Sequence, residues 1–280
     1  MTASICETYK RLADQTWERI EAAERVGMRW SEETNTETLL LQLRQRHPSQ
    51  VLIAAFSKRR EASVGADWEW WFVSQTGAYG MRVQAKRISL PKETFGYLRY
   101  TPRGHTNDQM TTLIGRARAD HLAPAYCFYV ASQTHRRDGV WPDVISPPPS
   151  QPSGCLVGHA EVIRAARSNR LDRLASALMP WHLLVCPREG RGDLTSRASA
   201  AMRSIARGEL AIAPSIASAE RSEDADPYLP EARAQPPSYV RRLIETGPED
   251  IGDFALDGTL ADRAIRGLLV IRDADGKAKT

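Results

Sequence analysis

Residues 65–88, GADWEWWFVSQTGAYGMRVQAKRI, decide how the middle of this chain folds. Two runs rich in Trp, Phe, Val and Ile lie on either side of turn-forming residues at 75–80, so a β-hairpin with strands over 66–75 and 80–90 is predicted. Side chains alternate along a strand, which puts Asp67 and Glu69 on one face of the first strand. Gln84 and Lys86 likewise share a face of the second. If the strands pair in register, four polar groups meet on one surface.

The flanking segments extend the hairpin into an α/β core. Apolar side chains recur at helical spacing over residues 4–27, and residues 31–47 have a capping serine or threonine (Ser31 or Thr34), early acids and late arginines, so both segments are predicted helices. Residues 50–57 and 124–132 are short apolar runs typical of buried strands, and residues 106–121 indicate a helix. The predicted order from residue 31 is therefore helix, three strands, helix, strand.

A proline-rich segment follows this core. Residues 136–153 contain SPPPSQPS, and successive prolines fit neither a sheet nor a helix interior. Beyond it we predict helices at 158–178, 194–207 and 238–246, short strands at 181–186 and 267–272, and a long loop at 216–237. The predicted organisation is an N-terminal helix (1–30), a core (31–135), a linker (136–153) and an α-rich C-terminal part (154–280), which is either a separate domain or packed on the core.

Composition indicates a globular intracellular protein. The 280 residues are 42% apolar with a net charge of +4, enough to bury one substantial core and only mildly basic. The four cysteines, Cys6, Cys127, Cys155 and Cys186, lack metal-ligand spacing, so free thiols in a reducing cytoplasm are expected. Five acidic residues within residues 1–30 exclude the apolar stretch of a secretory signal, and no apolar run is long enough to span a membrane. A cytoplasmic protein without membrane association is expected.

The polar residues of the hairpin suit phosphodiester hydrolysis. A divalent metal held by carboxylates polarises a phosphate and acidifies a bound water, and a lysine orients that water and neutralises developing charge. Magnesium needs only one or two carboxylates besides waters and phosphate oxygens. Asp67, Lys86 and a helix glutamate, either Glu33 or Glu37, meet this requirement.

The element order, with Asp67 opening one strand and Gln84-Ala85-Lys86 ending the next apolar run, resembles the PD-(D/E)xK, or restriction-endonuclease-like, superfamily. QAK is similar to the variant of Mrr-type restriction nucleases. The resemblance implies that Asp67 and Gln84 lie near the metal, that Lys86 is the catalytic lysine, and that TETLLLQLRQRH is the first core helix with Glu37 as its glutamate. Glu33 is the second candidate for that role. The stretch GADWEWWF also resembles an uncharacterised bacterial family with no established activity.

These observations predict an α/β protein whose restriction-endonuclease-like core has a mixed sheet. The expected function is a Mg²⁺- or Mn²⁺-dependent DNA endonuclease, with a role in restriction or anti-phage defence implied by the resemblance. Cutting both strands of a duplex would favour a homodimer. The rival is a catalytically silent module of the same fold that binds nucleic acid or a protein, and neutral Gln84 is its best support.

Several assignments stay open at the level of sequence. Glu69 either joins the metal ligands or pairs with Arg82 or Lys86. The three tryptophans at 68, 70 and 71 are expected in the core, with base stacking as the alternative. The basic residues either follow a nucleic-acid backbone or form a solvated face. The nucleic-acid contacts proposed are Lys58, Arg59, Arg60, Arg87 and Arg103.

Overall fold

The computed structural model describes residues 3–55, 68–98, 100–101, 106–132, 153–187, 192–210, 212, 226–247 and 265–273. Up to residue 132 its elements are α1 (Ile5–Arg25), α2 (Glu32–Arg46), β1 (Val51–Ala55), β2 (Trp68–Ser74), β3 (Gly77–Ser89), β4 (Thr94–Phe95), α3 (Gln109–Ala119) and β5 (Ala123–Tyr129). From residue 153 onward they are β6 (Cys155–His159), α4 (Ala160–Ala165), α5 (Leu171–Leu174), β7 (Met179–Pro180), α6 (Leu194–Arg207), α7 (Ser238–Thr246) and β8 (Gly267–Arg272). The chain is therefore an α/β protein.

The described strands form one mixed eight-stranded sheet in the order β1-β8-β2-β3-β5-β6-β7, with β4 paired to β3. Strands β2 and β3 form the predicted antiparallel hairpin, and β5 lies parallel to β3. Strand β8 lies between β1 and β2, antiparallel to the first and parallel to the second. The order of elements predicted from residue 31 is present along the chain, but a strand from its far end separates the first two strands in space.

Helices cover both faces of the sheet. The ring of Trp70 lies 6.5 Å from that of Trp181, so this face of β2 meets the 3-10 helix Trp181–Leu184, on which α1 and α6 pack. The ring of Trp71 on the other face lies 6.2 Å from that of Tyr239 on α7, and α3 packs on this side too. Both faces are buried, which is why the strands are almost continuously apolar.

The C-terminal part is not simply α-rich, as predicted, because it supplies β6, β7 and β8 to the common sheet. The predicted helix over 158–178 is instead the end of β6 followed by α4, α5 and the 3-10 helix Ala175–Ala177. Arg167, two residues beyond the six-residue α4, has a left-handed φ of 49°, which is incompatible with a continuing helix. The predicted strand over 181–186 is a 3-10 helix. Fully buried strands lack alternation, so periodicity does not separate them from helix.

The expectation of four free cysteines is wrong for two of them. Cys6 and Cys186 form a disulfide with Cα atoms 4.8 Å apart, although 180 residues separate them in sequence. Cys127 and Cys155 are free and buried. The reducing-cytoplasm expectation rested on four free thiols and loses that support, because disulfides persist in oxidising surroundings. Among the helices of the described residues, none combines the length and apolar character needed to cross a membrane.

Candidate active site

The hairpin register places the predicted polar residues of β2 and β3 on a shared face. Glu69 lies opposite Arg82, and alternation along β3 brings Gln84 and Lys86 to the same side as Arg82. We call Glu69, Arg82, Gln84 and Lys86 the polar face. All four side chains are buried. The described part of β2 begins at Trp68, opposite Val83, so Gln84 and Lys86 lie on the stretch of β3 beyond it.

The side-chain amide of Gln109, on helix α3, contacts both Gln84 and Lys86. Oε1 of Gln109 accepts hydrogen bonds from Nε2 of Gln84 at 3.2 Å and from Nζ of Lys86 at 3.4 Å. Lys86 is only 5% exposed, and within the described residues no carboxylate lies within ion-pair distance of its ammonium. Oε1 of Gln84 is buried without a hydrogen-bond partner there. The pair therefore offers unused donors and an unused acceptor at one place.

Asp108 positions this amide. It is the N-cap of α3, and its carboxylate accepts from the backbone N–H of Thr111 at 2.6 Å. Gln109 is thus the first residue of the helix, where its backbone carbonyl and side chain are fixed relative to the sheet. The side chain of Gln109 is half-buried and contacts β3.

Glu69 belongs to a separate buried network on the same face. Its carboxylate accepts from Nη2 of Arg82 at 3.3 Å, from Nε1 of Trp71 at 3.3 Å and from the hydroxyl of Tyr239 at 2.8 Å. Arg82 also pairs with Asp120 at 3.1 Å. Of the partners left open for Glu69, the structure thus shows Arg82. Tyr239 was not among the predicted site residues, because it lies 170 residues from Glu69 in the sequence and no local pattern connects the two.

The helix glutamates lie across the sheet from this face. The hydroxyls of Thr36 on α2 and Tyr129 on β5 are 2.8 Å apart, and Tyr129 is the register partner of Arg87. Helix α2 therefore packs on the side of β3 that carries Arg87. On α2, Glu33 pairs with Arg266 and Glu37 is exposed. The structure does not bring either glutamate to Lys86.

Most of the remaining predicted site residues lie in segments that the structure does not describe. Asp67, Lys58, Arg59, Arg60 and Arg103 lie outside the described residues. Arg87 is described, on the α2 side of β3, where its Nη2 lies 3.6 Å from a carboxylate oxygen of Glu24.

The tryptophans at 68, 70 and 71 are buried, as expected of core residues. Within the described residues, no group of three or more His, Cys, Asp or Glu side chains could hold a metal ion.

Two chemical features distinguish the polar face. They are the ammonium of Lys86, which contacts a neutral amide oxygen, and the side-chain oxygen of Gln84, which has no hydrogen-bond partner among the described residues.

Comparison with known proteins gives a family but no activity. The model of a family of unknown function, DUF6615, matches residues 5–277. No curated protein and no solved structure matches the chain.

Proposed function

Because the chain belongs to the DUF6615 family, whose function is unknown, we propose its function from the polar face: a metal-dependent nuclease that hydrolyses phosphodiester bonds in DNA. The observation that carries the proposal is Lys86. Its ammonium is 5% exposed, and its contact among the described side chains is a neutral amide oxygen at 3.4 Å. A buried charge without a counter-ion costs several kcal/mol. Such a cost is typical of a group kept for binding or catalysis.

A restriction-endonuclease-like core over residues 31–135 forms part of the proposal. It is supported by the antiparallel β2–β3 hairpin and by α3, which connects β3 to the parallel strand β5. The insertion of β8 between β1 and β2 would be an elaboration of that core. The C-terminal residues then complete the sheet that carries the site.

The polar face offers one oxygen atom that could bind a magnesium or manganese ion. Oε1 of Gln84 is a buried oxygen without a partner, and Mg²⁺ accepts such an amide oxygen beside carboxylate, water and phosphate oxygens. In the proposal Asp67 supplies the carboxylate, and Glu69 keeps its place beside Arg82. When bound, the ion would polarise the phosphate and acidify the attacking water.

The chain's own residues perform the remaining steps. The ammonium of Lys86 has two N–H donors beyond the one directed at Gln109, and these are available to a phosphate oxygen and to the attacking water. Gln109 keeps the ammonium in place through an acceptor that does not neutralise it. Gln84 is oriented by the same amide, so its free oxygen lies beside Lys86.

A cleavage assay tests the proposal. Supercoiled plasmid, linear duplex, single-stranded DNA and single-stranded RNA are incubated with Mg²⁺, with Mn²⁺ and with EDTA. Metal-dependent cutting by the wild type should disappear in Lys86→Ala and in Asp67→Asn. Lys92→Ala is the matched control, because Lys92 is an exposed lysine just after β3. No cutting of any substrate, or cutting that survives Lys86→Ala, would end the nuclease proposal.

A second candidate is a catalytically silent module that binds nucleic acid. It is favoured by the hydrogen bond of Lys86 to a neutral amide oxygen of Gln109 and by the pairing of Glu69 with Arg82. This arrangement would hold a phosphate without cleaving it. Gel-shift titration in EDTA separates the two candidates: the silent module predicts Lys86-dependent binding with no metal-dependent cutting.

Defence against phage extends the nuclease proposal to the cell. A host that expresses the wild-type protein should form fewer plaques than one expressing Lys86→Ala at equal protein level. Equal plaque numbers across a varied phage panel would remove this role while leaving the cleavage assay unaffected. Sedimentation of the active protein would show whether it acts as a homodimer.

A further inference from the structure

A cavity of about 650 Å³ opens on the α2 side of β3, across the strand from Lys86. Its walls are the loop between α1 and α2, the first turn of α2, the end of β3 and the turn after β4. Trp68, Ala85 and Arg87 line it from the sheet, whereas Gln84 and Lys86 do not. Its volume is typical of small-molecule sites, which span roughly 300–1,000 Å³. The nuclease proposal makes no use of this space.

The positive and negative charges that line the cavity are equal in number. Three are guanidinium groups and three are carboxylates: Arg29, Arg87, Arg266, Glu24, Glu32 and Glu33. Glu33 pairs with Arg266, Arg87 lies within ion-pair distance of Glu24, and Glu32 accepts the backbone N–H of Arg87 at 3.1 Å. Glu24 and Glu33 are thus paired with Arg87 and Arg266, whereas Arg29 makes no ion pair with a described residue.

Arg87 keeps unused hydrogen-bonding capacity. Its Nε and Nη2 are buried without a hydrogen-bond partner among the described residues, and Nη2 lies 3.6 Å from a carboxylate oxygen of Glu24, within ion-pair but beyond hydrogen-bond distance. They form one edge of the guanidinium fork, the edge that binds a phosphate or carboxylate through two parallel hydrogen bonds. Arg29 lies exposed at the rim and makes no ion pair with a described residue. An anion bound at Arg29 and Arg87 would add acceptors for these two guanidinium groups.

An aromatic side chain stands beside these arginines. Tyr97 lines the cavity, is 73% exposed, and contacts Tyr100 edge-on at 5.5 Å between ring centroids. Its φ of 57° is left-handed, a conformation that costs a bulky residue about 1–3 kcal/mol and is concentrated at ligand sites. An exposed ring held at this cost offers a stacking surface for a planar ring.

We propose that this cavity binds a nucleoside phosphate, with the phosphate at Arg29 and Arg87 and the base on Tyr97. The equal numbers of positive and negative groups limit the charge that the ligand can carry. With three carboxylates in the lining, a monophosphate or a phosphodiester is favoured over a triphosphate, and Glu32 remains an acceptor for a sugar hydroxyl or a base N–H. A free nucleotide and the terminal nucleotide of a strand share this chemistry. The inference does not depend on the nuclease proposal.

Calorimetric titration of the full chain tests the site. The probes are the four nucleoside monophosphates, ATP, adenosine, inorganic phosphate, and a short oligonucleotide with and without a 5′-phosphate. Arg29→Ala and Tyr97→Ala should each weaken monophosphate binding at least about tenfold, equivalent to one lost stacking or charge-assisted contact. Tyr97→Phe, which keeps the ring, should bind like the wild type. Arg25→Ala is the matched control, an exposed arginine that does not line the cavity.

The outcomes are decisive in either direction. Tight binding of mononucleotides assigns a free ligand, and binding only of the phosphorylated oligonucleotide assigns a strand end; both support the site. Binding of inorganic phosphate as tight as that of monophosphates, tighter binding of ATP, or no effect of Arg29→Ala and Tyr97→Ala would each overturn it. Lys86→Ala should leave this affinity unchanged, so failure here is distinguishable from failure of the nuclease proposal.

Discussion

Nζ of Lys86 lies 3.4 Å from Oε1 of Gln109, a buried ammonium beside a neutral acceptor. If Lys86 served only the fold, its removal would destabilise the protein. A buried charge that lacks a counter-ion is instead a net cost, and an apolar side chain of similar length removes it. We therefore expect Lys86→Met to raise the melting temperature, or leave it unchanged, while abolishing metal-dependent cleavage. Thermal unfolding and the plasmid assay, run on one preparation, measure both.

Lys92→Met separates this effect from a general gain in apolar content. Lys92 is exposed, so its replacement should change neither the melting temperature nor the cleavage. A large loss of stability in Lys86→Met would contradict the functional assignment of Lys86 and identify it as a structural residue.

Replacing Glu69 is expected to destabilise the protein, in contrast to replacing Lys86. Its carboxylate lies 3.3 Å from the guanidinium of Arg82, which is 1% exposed. Glu69→Gln would leave Arg82 with Asp120 as its ion-pair partner in the described structure and should cost about 3 kcal/mol in the free energy of unfolding. Tyr239→Phe, which removes one donor to Glu69, should cost about 1 kcal/mol. Urea titration of the variants measures both changes.

A metal-binding Glu69 predicts a different pattern. Removing a ligand carboxylate would lower cleavage at saturating Mg²⁺ with little loss of stability in the absence of metal. If Glu69→Gln retains wild-type stability in EDTA and loses activity, the buried-network assignment of Glu69 fails.

The hairpin was predictable because its information is local. Alternation between Trp68 and Ser74, followed by turn residues, determines the strands, and alternation alone brings Glu69, Gln84 and Lys86 to one face. The partner of Glu69 stayed open, because Arg82 and Lys86 share that face and only the register, which puts Arg82 opposite, distinguishes them.

Long-range pairings carry no such local signal. Strand β8 was predicted as a strand, but its position between β1 and β2 depends on pairing across about two hundred residues of chain. The helix glutamates Glu33 and Glu37 have the right spacing, yet α2 packs on the opposite side of β3 from Lys86. Sequence patterns determine which faces are buried, whereas the partner of each face depends on the completed topology.

The disulfide between Cys6 and Cys186 leads to a redox prediction. It ties α1 to Cys186, the second residue after the 3-10 helix Trp181–Leu184, and closes a loop of 180 residues. Cys6→Ser should lower the free energy of unfolding by roughly 2–5 kcal/mol under oxidising conditions, because the bridge restricts the unfolded chain. Urea unfolding with and without a reductant measures this difference.

The reduced proteins provide the control. In reductant, the wild type and Cys6→Ser should unfold at nearly the same urea concentration, while Cys127→Ser lacks the oxidant-dependent effect because Cys127 is free. Equal stability of oxidised wild type and Cys6→Ser would contradict the bridge.

Asp14 on α1 makes stability fall as pH rises. Burial, with a smaller contribution from Glu18, raises the pKa of Asp14 from 3.8 to about 6. Between these values the folded state binds more protons than the unfolded state, so stability decreases with increasing pH across that window. Asp14→Asn should remove this decrease and raise stability at pH 7 by about 1 kcal/mol after allowance for solvent screening. Asp172 is the opposite control: its hydrogen bonds from Arg170 lower its pKa from 3.8, so Asp172→Asn should lose stability at neutral pH, and this loss should shrink as the pH falls below 3.8. Urea titrations at a series of pH values check both signs, and an Asp14→Asn curve parallel to that of the wild type would rule out the raised pKa.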